Sequence, residues 1–306
     1  MKQIDLRGII PAIVTPMLPD GSFDRASMNR YVEWLVAQKP IALAVNVDTG
    51  EGPHLSFDER RTVLEAVKEA VNGRCMIVAG VGGPATAMAI ANAKQARDAG
   101  ADALLVFPIP AYLGQPLNPE VPYQYHAAIA DAVDIPLILF QLQPALGGLN
   151  YTREVIHRLI EIPAVAAIKE ASFDAMRHAQ MRVMLDTASR RITMLTGQDN
   201  FIYESFLLGA EGALLGFATL GTREHVEMLE AIRRCDFATA QTLGQRLQTL
   251  ADVVFAPPVT DYRARTKEAL HMMGIIDHTV VRPPLLSITD AERENVKRAL
   301  QHAGML

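Results

Sequence analysis

Short apolar runs alternate along the chain with longer stretches in which apolar residues recur every three or four positions. Eight runs read as strands: Gly8–Pro16, Ile41–Val47, Met76–Gly80, Ala103–Phe107, Pro136–Gln141, Val165–Lys169, Thr193–Thr196 and Gly212–Leu215. Most are apolar throughout rather than alternating. That pattern marks strands covered on both faces, as in a parallel sheet flanked by helices. Helical patterns lie between them. Ser56 and Glu59 form a capping box ahead of a stripe carrying Leu64, Val67 and Val71. The alanine-rich stretch Ala85–Ala99 stops at Gly100. Thr152 and Ser172 are the expected N-caps of two further helices. Repeated strand–helix units predict an α/β protein built as a (β/α)₈ TIM barrel, a fold of ~250 residues. A doubly wound open sheet is the rival, because local pattern does not count closure.

After Thr222 the strand signal ends. Thr222–Cys235, Phe237–Val253, Tyr262–Gly274 and Thr289–Ala303 read as helices, the last opened by a capping box of Thr289 and Glu292. Pro257, Pro258, Pro283 and Pro284 punctuate the connections. The expected organisation is a barrel over residues 1–222 and a C-terminal helical extension over residues 223–306.

Composition acts by exclusion. Half of the 306 residues are hydrophobic and the net charge is −5, with no basic run, so a nucleic-acid partner is not expected. Cys75 and Cys235 make neither a disulfide framework nor a zinc pair. No apolar run reaches the ~18 residues of a membrane span, and the N-terminal stretch is too short and proline-interrupted for a signal peptide. A soluble cytoplasmic protein without a metal is expected.

Seven lysines are present, and six lie in polar helical or loop contexts that suit solvated side chains. Lys169 differs, because it ends the apolar run IPAVAAIK at the expected C-terminal mouth of the sixth strand. Barrel enzymes place their chemistry on that rim. Desolvation there disfavours the ammonium, and the neutral amine is the form that attacks a carbonyl. The bland alternative is a lysine that snorkels out or pairs with Glu170. Two other motifs carry less. Asp48-Thr49-Gly50 spells an aspartic-protease triplet, but that chemistry needs a second carboxylate triplet and none is present. Gly80, Gly82 and Gly83 follow a strand as in a dinucleotide loop, without the ribose-binding acid. Gly197 and Gly216 would let a phosphate approach the backbone, but no basic residue stands beside them.

The string AVAAIKEAS resembles the lysine motif of the dihydrodipicolinate synthase and N-acetylneuraminate lyase family. RGIIPAIVTPMLPDGSFD, NVDTGEGPHLSFDER, AGVGGPATAMAIANAKQARDAGADALLVFP and LTGQDNFIYESFLLGAEGALLGF resemble its other barrel units, in the right order. The resemblance implies a Schiff base on Lys169 with pyruvate or a hydroxylated 2-oxo acid, and hence a lyase, aldolase or dehydratase. It implies no cofactor and a homotetramer or dimer. Asp48 and Lys169 are the expected catalytic pair. Thr49, Gly50, Phe140, Gly197, Leu214 and Tyr112 are expected on the substrate side.

Three departures from the family pattern matter. Phe140 stands where the family has a tyrosine whose hydroxyl relays protons, and phenylalanine has no hydroxyl. Asp48 replaces the first residue of a Thr-Thr pair. It is a candidate acid/base for the lost relay, a candidate holder of a substrate hydroxyl or amine, or a strand-end turn residue. Ala145 or Leu146 falls where dihydrodipicolinate synthases carry an arginine, so no carboxylate fork is available there. The expectation is therefore a divergent lyase, with dihydrodipicolinate synthase activity itself as one alternative. A pocket that binds a 2-oxo acid without catalysis is the other.

Overall fold

A computed structural model, describing residues 4–113 and 116–306, sets the eight runs side by side in one parallel sheet. The strands are β1 (Ile9–Pro11), β2 (Ala42–Val45), β3 (Met76–Val81), β4 (Ala103–Val106), β5 (Leu137–Leu142), β6 (Val165–Ala171), β7 (Thr193–Thr196) and β8 (Gly212–Leu215). They pair in the order β1-β8-β7-β6-β5-β4-β3-β2. A parallel bridge between Ala12 and Ala44 brings the two ends of that series together, with the Ile13 N–H donating to the Ala44 carbonyl at 3.0 Å. The sheet thus curls into a barrel, whereas a doubly wound sheet keeps two open edges. β1 is shorter than the apolar run predicts. Pro11 has no N–H to continue the ladder.

The helices are α1 (Arg25–Val36), α2 (Phe57–Val71), α3 (Thr86–Asp98), α4 (Glu120–Ala132), α5 (Arg153–Leu159), α6 (Ala175–Asp186), α7 (Ile202–Leu207), α8 (Thr222–Arg233), α9 (Phe237–Val254), α10 (Tyr262–Met272) and α11 (Asp290–His302). Both predicted capping boxes form, at Ser56–Glu59 and at Thr289–Glu292. Thr152 caps α5, accepting from the Val155 N–H at 3.3 Å. Ser172 does not cap α6. Phe173 adopts a left-handed φ of 59°, which breaks the chain between Ser172 and the helix. Asp174 takes the role instead, accepting from the Met176 N–H at 2.9 Å.

The core has two shells, as the strand period of two requires. One fills the barrel interior and includes Ile10, Ala44, Leu105, Phe140, Ala167, Leu195 and Leu214. The other lies between strands and helices. Successive residues of β6 therefore face opposite shells. The C-terminal helices stack as α8 on α9, α9 on α11 and α10 on α11.

Candidate active site

Lys169 is in register with Phe140 on β5 and Leu195 on β7. Its stem rises inside the barrel and the residue is only 8% exposed. The Phe140 ring lies under the amine, with its centroid 4.3 Å from Nζ. Phe107 braces that ring edge-on, at 5.2 Å between centroids. Gly197 leaves space for the stem. A methyl group at Gly197 would stand 2.7 Å from both Lys169 Cε and Ala171 Cβ. Burial pulls the Lys169 ammonium down to about 8, against the opposing charges of Asp199 and Asp48.

Asp199 is the nearer of those carboxylates in electrostatic effect, and it is 5% exposed. Burial pushes its carboxyl up to about 7. Lys169 and the amides of Phe217, Asp199 and Gly216 oppose that shift. The Phe217 N–H donates to Asp199 Oδ1 at 2.8 Å. Desolvation thus outweighs attraction for both members of the pair. Near neutral pH the site holds an amine that can lose its proton beside a carboxyl that can carry one.

Asp48 is engaged differently. The Tyr262 hydroxyl donates to its Oδ2 at 2.7 Å. The Arg263 guanidinium binds its Oδ1 and also donates to its main-chain carbonyl at 3.0 Å. Thr49 Oγ1 lies 3.3 Å from the same Tyr262 hydroxyl. Gly50 closes the turn, and its carbonyl accepts from Thr15 Oγ1 at 2.7 Å. A methyl group there would meet the Ile13 carbonyl oxygen at 2.7 Å. Next along, Glu51 is fully buried and paired with Lys267 of α10. The Lys267 amine also donates to the Val280 carbonyl at 2.6 Å. Lys267 is therefore not the solvated lysine its polar helical context predicts, because its partner lies far away in sequence.

The structure brings Lys169, Asp48, Thr49, Gly50, Phe140 and Gly197 to one end of the barrel. Leu214 is a core side chain in register with Ile10, two residues below Gly216. Tyr112 is fully buried, and its ring contacts are with Tyr125, His126 and Tyr151 rather than with Lys169 or Phe140. Asp199, Tyr262 and Arg263 escaped the sequence reading. Asp199 had one signal, a carboxylate just beyond a strand end. Tyr262 had none, because its partner Asp48 is 214 positions away. Beside the mouth, a cavity of about 360 Å³ is lined by Asn46, Arg60, Gly80, Asn92 and Phe107, but not by Lys169, Asp48 or Asp199.

A buried amine near the C-terminal mouth of a barrel is an arrangement shared with barrel enzymes that use a lysine nucleophile. Residues 5–303 match the Dihydrodipicolinate synthetase family, and the chain belongs to that family and is a lyase of it. It is 33% identical to a 4-hydroxy-tetrahydrodipicolinate synthase of Methylococcus capsulatus, over 98% of this chain and 100% of that one. It is 32% identical to the enzyme of that name from Shigella dysenteriae, over 98% and 99%. The chloride-inhibited dihydrodipicolinate synthase of Acinetobacter baumannii, solved with pyruvate, superposes with a TM-score of 0.87 at 33% identity, covering 99% of this chain and 100% of that one.

Proposed function

We propose that Lys169 forms a protonated imine with a 2-oxo acid, pyruvate or a hydroxylated 2-oxo acid, and that the imine is the electron sink for making or breaking a bond at C3. The buried Lys169 amine carries this reading. Its stem is held between the Phe140 ring and Gly197, and its ammonium is pulled down to about 8. The Asp199 carboxyl, pushed up to about 7, is poised to hold the proton that C3 loses or regains. In this reading the Thr49 hydroxyl, on the turn that Gly50 closes, receives the substrate carboxylate. Gly197 and Leu214 shape the floor. The pyruvate bound to the Acinetobacter baumannii relative supports the choice of acid.

The second substrate differs from that of the curated relatives. Phe140 has no hydroxyl and residues 144–146 supply no arginine, so an anionic aldehyde has no fork to bind there. Tyr112 serves the packing of its loop. The barrel over residues 1–222 carries the lysine, and the helical region over residues 223–306 walls the mouth. A cytoplasmic homotetramer or dimer is the expected working form. No described helix is long and apolar enough to cross a membrane.

Deuterium exchange into C3 of pyruvate and of longer 2-oxo acids, followed by proton NMR in D₂O, tests the reading. Exchange by the wild type and none by Lys169→Ala is expected. A wild type that exchanges no 2-oxo acid contradicts it.

A further inference from the structure

Three residues of α10 or its first turn engage the loop that follows β2. Tyr262 binds Asp48 and Thr49, Arg263 binds Asp48, and Lys267 binds Glu51. Only the first brings a neutral hydroxyl to the mouth. Its ring is stacked on Phe255 at 4.8 Å between centroids and 17° between planes. Its edge also packs against Gly216, where a methyl group would stand 3.4 Å from Tyr262 Cε2 and 3.1 Å from Thr49 Oγ1. The Gly216 amide faces Asp199, whose main charge partner is Lys169. Gly216 thus lies between the Tyr262 ring and Asp199 on the β8 side, and the bond to Asp48 holds the Tyr262 hydroxyl on the β2 side.

We infer that Tyr262 is a catalytic residue, and that with Asp48 it carries protons between the Lys169 nitrogen and the departing carbonyl oxygen during imine formation. This inference rests on the imine reading. Starting from the Lys169 ammonium, nitrogen gives up two protons, oxygen receives both, and water leaves. In the first half, Asp48 takes a proton from nitrogen, the nitrogen pair forms the bond to C2, and the C=O π pair moves to oxygen. Tyr262 protonates that oxygen and is refilled by Asp48 across their hydrogen bond. In the second half, Asp48 takes another proton from nitrogen and Tyr262 passes one to the carbinolamine hydroxyl. The C–O bond breaks to release water, and the nitrogen pair closes the C=N bond. Nitrogen keeps one proton and the positive charge, so the balance needs no outside acid. Burial and the Asp48 charge keep the Tyr262 phenol protonated between these transfers, its pKa held well above the ordinary value.

The test is rapid-quench borohydride trapping with pyruvate as the probe. Tyr262→Phe keeps the stacked ring and removes only the hydroxyl. Asp48→Asn keeps a side chain able to bond while removing the base. For each, the limiting rate of imine formation at saturating pyruvate is expected to fall on the order of 10²-fold. The end-point adduct on Lys169 is expected to be unchanged. A wild-type limiting rate in Tyr262→Phe overturns the inference. So does a change confined to the pyruvate concentration needed, because that is the mark of a positioning role. No adduct in the wild type overturns the imine reading itself, and a trapped wild type with an unslowed Tyr262→Phe overturns only the relay.

Discussion

Lys169 and Glu170 are neighbours on one strand, both buried and both ionisable, and the chain treats them in opposite ways. Glu170 faces the shell between barrel and helices, where its carboxylate is saturated. Gln141 Nε2 donates to Oε1 at 2.7 Å and the Ser172 N–H at 3.1 Å. His178 Nδ1 lies 3.1 Å from Oε2, and Gln198 Nε2 donates to the same oxygen. The second nitrogen of His178 lies 3.0 Å from the Ser205 carbonyl oxygen. Lys169 faces the barrel interior and makes no hydrogen bond through Nζ among the described residues; its close partner is the Phe140 ring. A buried charge whose partners are complete holds the fold together. A buried charge left short of partners is destabilised in its ionised form and is available for chemistry.

Truncating each neighbour in turn separates the two cases. Glu170→Ala strips four donors of their acceptor and is expected to cost roughly 3–5 kcal/mol of stability, read by denaturant unfolding. A loss near zero would show that the network does not support the strand. Lys169→Met is expected to act with the opposite sign, raising stability at pH 7 by roughly 3 kcal/mol while abolishing imine chemistry. The sign follows from protonation. The folded amine titrates near 8, below its value of 10.5 in the unfolded chain, so unfolding takes up a proton between those limits. The cost of burying the ammonium is full below pH 8 and fades as pH rises towards 10.5. The gain in Lys169→Met should fade with it, and a gain independent of pH would contradict the account.

Gly197→Ala should leave most of the stability but push the Lys169 stem aside. About a tenfold to hundredfold loss in imine formation is expected, read by the rate of trapping, since ~1 Å of misplacement has that effect. The mildest perturbation is pH alone. Imine formation in the wild type should rise as the pH passes through about 8, where the amine becomes neutral. A midpoint near 10 would mean that the barrel does not desolvate the lysine.

Much of this contrast was legible in the sequence. The eight apolar runs, the capping boxes at Ser56 and Thr289 and the position of Lys169 near the end of a strand are local features, and local features survive in one dimension. Phe140 reads as a missing hydroxyl only through the resemblance to the family pattern, which has a tyrosine at that place on the fifth strand. Ser172 does not cap its helix because of the left-handed turn at Phe173, which has no residue signature such as glycine. The polar helical context of Lys267 says nothing of a glutamate more than two hundred residues earlier. Tyr262 and Arg263 belong to that same long-range class: their bonds to Asp48 span 214 and 215 positions of sequence. Asp48 gained a meaning that its neighbours in sequence do not carry, that of a carboxylate already held by a tyrosine and an arginine.

The most direct measurement is to incubate the protein with pyruvate, reduce with borohydride, and map the modified peptide by mass spectrometry, with Lys169→Ala as the control. The expected result is a reduced pyruvyl adduct on Lys169 alone, and none in the variant. An adduct spread over surface lysines, or none with pyruvate or any longer 2-oxo acid, would contradict the claim that the partner-poor lysine is the nucleophile.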